Sequence, residues 1–193
     1  MSAEFIVETS ARHVHVTQET LEILFGKGAS LTKKKDLSQP GQFACKEQLT
    51  IIGPSMRPIE GVRVLGPERK RSQVEISRTD TFVLKVSPPV RPSGQVEGSE
   101  KVVVVGPKGS VYLKEGVIIA NRHIHLTPEY ATANGIKDND YVDVEVEGIK
   151  PTRFYDVQVR VRDDFNVEMH IDTDDANSAG LKNGAKVKIL KKK

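Results

Sequence analysis

Along this chain apolar and polar residues repeatedly alternate one for one. The clearest cases are Tyr141-Val142-Asp143-Val144-Glu145-Val146-Glu147 and Tyr155-Asp156-Val157-Gln158-Val159-Arg160-Val161. A period of two puts every second side chain on one face, so each stretch predicts a strand with one buried and one wet side. Residues 101–105, 111–113, 167–171 and 186–190 add β-prone runs, separated by turn signals such as Gly106-Pro107-Lys108-Gly109. Many short strands joined by turns predict a mainly β protein built from small barrels. The stretch Ser87-Pro88-Pro89-Val90-Arg91-Pro92-Ser93-Gly94 breaks the alternation. Its prolines exclude it from a central strand and leave a linker, or a loop held against a ligand.

An internal repeat organises these elements. Arg12-His13-Val14-His15-Val16-Thr17-Gln18-Glu19 recurs as Arg122-His123-Ile124-His125-Leu126-Thr127-Pro128-Glu129, with the Arg, both His, the Thr and the Glu kept. A β-prone stretch precedes each copy, Phe5-Ile6-Val7 and Gly116-Val117-Ile118-Ile119, and a helix-like segment follows. Thr127 is placed to cap that helix, Pro128 to open it and Gly135 to end it; Thr17 and Gly26 play the same parts in the first copy. Each half therefore predicts a strand, the His motif and a short helix.

The 193 residues leave room for one core or for two small domains of about 100 residues each. At 37% hydrophobic and 28% charged residues the composition is that of an ordinary globular protein. The net charge of +3, from 29 basic against 26 acidic residues, sits partly in Lys33-Lys34-Lys35 and Lys191-Lys192-Lys193. That mild excess suits a phosphate-bearing small molecule. Nucleic acid is not expected as a partner, because there is no basic helical stripe and no aromatic platform. The single cysteine, Cys45, forms no internal disulfide and fits a reducing cytoplasm. No apolar run approaches the roughly 20 residues that span a bilayer, and residues 1–8 carry two acids and no basic leader, so neither membrane insertion nor export is expected.

The repeat also concentrates the chemistry. Four of the five histidines lie in the two motifs. Residues i and i+2 of a strand share a face, so His13 and His15 project together, as do His123 and His125, and each pair offers half of a divalent metal site. The fifth histidine, His170, lies in the strand-like Val167-Glu168-Met169-His170-Ile171-Asp172 and completes a set with His123 and His125. The first pair needs a third ligand from elsewhere, and Glu75 in Gln73-Val74-Glu75-Ile76-Ser77 is a suitable strand-borne carboxylate. Structural sites are usually closed and cysteine-rich, whereas three-ligand His or His-carboxylate sets keep a position open, so catalysis is expected over a structural role. Zinc suits imidazole and needs no redox partner; cobalt, nickel and iron suit the same ligands.

Several blocks in order resemble the PduL-type phosphate acyltransferase family, which moves an acyl group between coenzyme A and inorganic phosphate. They are the two Arg-His-x-His motifs, Pro40-Gly41-Gln42-Phe43-Ala44-Cys45, Gly66-Pro67-Glu68-Arg69, Gln73-Val74-Glu75-Ile76-Ser77, Pro88-Pro89-Val90-Arg91 and Glu168-Met169-His170-Ile171-Asp172. The resemblance spans roughly residues 5–190. It implies two small β-barrels with short capping helices, the N-terminal strand being exchanged into the C-terminal barrel. Residues 12–120 would form one barrel and 1–11 with 121–193 the other, with the active site between them.

By the same resemblance, His13, His15 and Glu75 hold one Zn2+ beside the sulfur of coenzyme A, and His123, His125 and His170 hold a second beside water or phosphate. Arg69 matches the family's phosphate-binding arginine, and its planar fork suits a tetrahedral oxyanion. Ser10, Lys35, Arg63 and Asn177 are implied to contact coenzyme A, although Lys33-Lys34-Lys35 also reads as a solvated surface run. Cys45 is the rival nucleophile, but nothing in the sequence supplies it with an activating base. Family members packaged in bacterial microcompartments carry an N-terminal amphipathic extension; the few residues before the first motif imply a free cytoplasmic enzyme, and the family suggests a homodimer. Two other readings stay open from the residues alone: a metal-dependent thioester or phosphoester hydrolase, and a non-enzymatic module with structural metals.

Overall fold

The computed structural model describes residues 4–190. Lys191-Lys192-Lys193 and the start of the segment read for a leader lie outside the described residues. The chain divides into two compact units, one of residues 4–10, 38–40 and 121–190, the other of residues 11–37 and 41–120. Ser38–Pro40, expected in the barrel of residues 12–120, groups with the other unit.

The chain opens with β1 (Glu4–Ser10), then β2 (His13–His15), α1 (Gln18–Phe25), β3 (Lys33–Asp36), β4 (Phe43–Ile52), β5 (Pro58–Gly66) and β6 (Gln73–Glu75). There follow α2 (Arg78–Leu84), β7 (Val90–Arg91), β8 (Glu100–Val105), β9 (Ser110–Ala120), β10 (His123–Leu126), α3 (Pro128–Asn134), β11 (Tyr141–Val146), β12 (Thr152–Val161), β13 (Glu168–Asp172), α4 (Thr173–Ala179) and β14 (Ala185–Leu190). The fold is mainly β, two closed six-stranded barrels with short helices.

In one barrel β1 runs parallel to β13, β13 antiparallel to β10, β10 parallel to β12, and β12, β11, β14 and β1 close the ring antiparallel. The other barrel repeats that cycle with β9, β6, β2, β5, β4 and β8 in the same roles. The repeat seen around the His motifs thus extends over a whole barrel. It also has an exchange at both ends: β1 precedes β2 in sequence but closes the barrel of β10, while β9 precedes β10 but closes the barrel of β2.

The alternation has the consequence expected of it. In β11 Val142, Val144 and Val146 point inward, and in β8 Val102 and Val104 do. Each barrel fills with its own branched aliphatic side chains, Val14, Val64, Val74 and Val104 in one and Val7, Ile124, Val159 and Ile171 in the other. Full burial of one such side chain stabilises by about 1.5–3 kcal/mol, so these interiors are the main source of stability. The edge strand β3 carries Lys33, Lys34 and Lys35 in the open, where charge discourages edge-to-edge pairing.

Capping chemistry fixes where the helices begin. The Thr17 hydroxyl accepts from Thr20 N, and the Thr127 hydroxyl from Tyr130 N, with Pro128 in the first turn. Gly135 ends α3 in the left-handed conformation at φ 65°, which costs glycine no Cβ clash. Against the end of α1 the Gly106 backbone lies so close that a Cβ there would meet Leu24 O at 2.5 Å. The loop 87–94 forms only the two-residue β7 beside β9 and then turns back over β6.

Candidate functional site

Each motif strand carries its histidines on the face opposite the barrel core. In β2, Val14 enters the core while His13 and His15 point the other way, their rings 4.9 Å apart and nearly perpendicular. The antiparallel neighbour β6 sets Glu75 opposite His13 and Gln73 opposite His15. Glu75 Oε2 then lies 3.5 Å from His13 Nε2 and Oε1 lies 3.8 Å from His15 Nε2, with all three residues buried.

The other ring nitrogens are already in use. His13 Nδ1 donates to Ala11 O at 2.9 Å and His15 Nδ1 to Leu65 O at 3.1 Å, so both Nε2 lone pairs face the carboxylate. Two lone pairs and an anion facing one another in a buried place call for a cation, and the set fits a divalent ion. Without one, a proton serves. Burial opposes charging His13, but Glu75 outweighs it and raises the His13 pKa. His15 is driven to about 3, by burial first and then by His13, and stays neutral. Burial also opposes the charged form of Glu75, yet the two histidines hold its pKa well below the usual carboxylate value.

A hydrogen-bonded chain joins this triad to Arg69. Arg69 Nη1 donates to Ser93 Oγ at 2.9 Å, and Ser93 Oγ donates to Glu75 Oε1 at 2.6 Å. Gln73 Nε2 donates to Glu75 Oε1 at 2.5 Å and to Ser93 Oγ at 2.9 Å, while Gly94 N donates to Gln73 Oε1 at 2.8 Å. Ser93 belongs to the proline-rich loop, which is therefore held against this cluster.

In the other unit β10 and β13 pair His123 with His170 and His125 with Glu168. The three imidazoles gather, with ring centroids 4.8 Å apart for His123–His125 and His125–His170, and 5.2 Å for the stacked His123–His170. His123 Nδ1 donates to Asn121 O at 2.9 Å. His125 Nδ1 is buried with no hydrogen-bond partner, an arrangement a bound ion or ligand would relieve. Burial first, then His123 and His170, push the His125 pKa down to about 2, so its ring is neutral and able to ligate. The gathered rings leave this orphaned nitrogen as the open donor of the group.

A further grouping appears beside it: donor atoms of Glu8, Glu168 and His170 lie within 4.8 Å of one another. Its carboxylates already have protein donors. Glu8 takes the Ser38 hydroxyl in a short hydrogen bond, and Glu168 Oε2 takes Gln39 Nε2 at 3.1 Å and faces His170 Nε2 at 3.4 Å. Burial disfavours the Glu168 anion, but the donors on His170, Ser38 and Gln39 outweigh it and lower its pKa. These contacts hold both acids beside His170.

The arginine that opens each motif turns to the helix after the third-ligand strand. Arg12 pairs with Asp80 at 2.8 Å near the start of α2, and Arg122 with Asp175 at 3.6 Å near the start of α4. Each pair ties a motif strand to the helix that follows its third ligand. Of the remaining expected residues, Ser10 ends β1 and Asn177 lies exposed on α4, both in one unit; Lys35 is exposed on β3 and Arg63 lies on β5 beside His13, both in the other. Arg63 Nη1 donates to Cys45 O at 2.9 Å and Lys46 O at 3.2 Å. Cys45 is fully buried, and burial foremost pushes its thiol up to about 11. Gln39, Gln73, Ser93 and Glu168 were not expected. For Gln73 and Glu168 the signal was present, since each stands two residues before a third ligand on an alternating strand; Gln39 and Ser93 stand in loops with no periodic signal.

The sequence model of the phosphate propanoyltransferase family matches residues 6–182. A phosphate propanoyltransferase of Lachnoclostridium phytofermentans is 55% identical over 184 residues, 95% of this chain and 86% of that protein. Others so named are 55% identical over 186 residues in Thermotoga maritima (96% of this chain, 88% of that protein) and 50% identical over 187 in Enterococcus faecalis (97% and 88%).

Proposed function

Since the chain belongs to the phosphate propanoyltransferase family, we propose that it transfers a short acyl group, propionyl or acetyl, reversibly between coenzyme A and inorganic phosphate, with a divalent ion, foremost Zn2+, held by each triad. The carrying observation is the hydrogen-bonded run from Arg69 through Ser93 to Glu75, which couples an anion-binding side chain to a metal-type ligand set.

His13, His15 and Glu75 are the residues that would hold one ion, and His123, His125 and His170 the other. Bound there, such an ion supplies Lewis acidity, which lowers the pKa of a thiol and stabilises oxyanions near neutral pH. Arg69 binds phosphate through its guanidinium fork, and Ser93 fixes the direction of that fork. A phosphate oxygen attacks the thioester carbonyl carbon, the carbon–sulfur bond breaks, and the sulfur leaves as thiolate with acyl phosphate as the second product. Cys45 takes no part: fully buried, with its thiol held near 11, it is a packing residue and no acyl-enzyme forms on it. Ser10, Lys35, Arg63 and Asn177 are assigned to coenzyme A, whose phosphates suit the two cations. Among the described residues no helix is long and apolar enough to cross a membrane. A free thiol at Cys45 suits the reducing cytoplasm proposed as the compartment.

The test is thiol release from propionyl-CoA and acetyl-CoA with and without phosphate, before and after chelation, alongside elemental analysis. Release that needs phosphate and is lost on chelation is expected. Phosphate-independent release would make the protein a thioester hydrolase, and chelator-insensitive turnover would remove the ions from the reaction.

A further inference from the structure

In both barrels the third member of the triad is preceded, two residues earlier on the same strand, by a buried polar residue of complementary hydrogen-bonding character. Gln73 is 2% exposed and precedes the carboxylate Glu75; Glu168 is 3% exposed and precedes the imidazole His170. The two occupy equivalent places, Gln73 opposite His15 and Glu168 opposite His125. A carboxylate that ligates an ion has lone pairs left over and is oriented by a donor, which the Gln73 amide supplies at 2.5 Å. An imidazole that ligates through one nitrogen carries a proton on the other and is oriented by an acceptor; Glu168 Oε2 stands 3.4 Å from His170 Nε2, with Gln39 Nε2 3.5 Å from the same nitrogen. An apolar residue at either position would avoid burying a polar group, so each earns its place by that bond.

Both residues are clamped in turn by a loop. Gly94 N and Ser93 Oγ fix the two ends of the Gln73 amide. Gln39 Nε2 donates to Glu168 and Gln39 Oε1 accepts from Asn166 N at 3.2 Å, while Asn166 Nδ2 holds Ser38 O at 2.6 Å. We infer that Gln73 and Glu168 are the positioning residues of the two metal sites, each matched to its third ligand, a donor for Glu75 and an acceptor for His170. The inference rests on the reading that the triads hold ions. It adds that the identity of the third ligand is set by the residue behind it.

The isosteric changes Gln73→Glu and Glu168→Gln reverse the two characters. In the full chain loaded with Zn2+, competition with a graded chelator should resolve two ions. Each change should weaken one of them about 10–100-fold and leave the other at its wild-type affinity. Glu75→His should bind its ion more tightly when combined with Gln73→Glu than alone, which a merely structural role for Gln73 would not produce. Wild-type affinities in both single variants, equal losses at both ions, or a double variant no tighter than Glu75→His overturn the inference while leaving the metal reading intact. A wild-type protein that retains no ion overturns both. If Glu168→Gln fails to fold, the Gln73 pair of variants decides.

Discussion

The two barrels close through the same cycle of six strand pairings and present their histidines from the same position, yet they differ at one residue: Glu75 stands where the other barrel has His170. What is shared is the scaffold. A motif strand, a third-ligand strand beside it, and an arginine tied to the following helix recur in both, because backbone register and one ion pair suffice to set them. What differs is chemical character, and it differs in a coordinated way, with the ligand and the residue two positions before it changing together. A fold can therefore be duplicated and its two sites made unlike by two substitutions on one strand.

The strongest challenge to the comparison is to remove a ligand from each barrel. Glu75→Ala and His170→Ala should each cost one ion by elemental analysis and lower kcat/KM about a thousandfold, the scale of losing a preorganised electrostatic stabiliser. If only one of them matters, the two sites are not partners in one reaction. Next, Arg69→Ala should lower kcat/KM for phosphate about a hundredfold with a small change in the KM for acyl-CoA, and Arg69→Lys should recover only part, since a point charge lacks the fork. An equal effect on both substrates in steady-state kinetics would take Arg69 off the phosphate.

The arginine ties should separate by burial. Asp80 has a side chain 4% exposed, so Arg12→Ala leaves a nearly unsolvated carboxylate and should cost about 2 kcal/mol in denaturant unfolding, discounted for the 43% exposed arginine. Asp175 is more open, at 29%, and lies 3.6 Å from Arg122, so Arg122→Ala should cost about 0.5 kcal/mol. The smallest effect concerns Cys45. With its pKa raised to about 11, only about one thiol in a thousand is ionised at pH 8, so alkylation of the native protein should be slow and should speed up as pH rises toward 11. Cys45→Ala should keep wild-type turnover and lose about 1 kcal/mol of stability; loss of turnover in a folded Cys45→Ala protein would reopen covalent catalysis.

Much of this was legible in the sequence, because the signals were periodic or repeated. Alternation gave β11 and β12, Thr127, Pro128 and Gly135 bounded α3, and the doubled motif exposed the histidine pairs. Glu75 and His170 were expected as third, strand-borne donors, and strand register sets each opposite the first histidine of its motif. The place of β9 in the barrel of residues 12–120 came from the family resemblance alone, since which barrel a strand closes is a matter of long-range pairing that leaves no local mark. Gln39 and Ser93 were not legible either, because they act from the short irregular segments 37–42 and 92–99, which carry no periodic signal. The role of Arg12 and Arg122 was hidden by their neighbours: beside two histidines an arginine looks like site chemistry, and only tertiary structure turns it toward a helix.

The exchanged β1 also bears on how the chain is made. Its partners are β13 and β14, so the earliest made of the described strands pairs with the latest. Every strand of the barrel containing β2 has been synthesised by residue 120, and that unit can close while the rest of the chain is still emerging. During that interval β1 waits with unpaired backbone, and its glutamates, Glu4 and Glu8, give the waiting strand a charge that discourages pairing with a neighbouring nascent chain. Order of synthesis and order of closure thus run in opposite senses for the two barrels, the early one built from one continuous stretch and the late one from segments on either side of it.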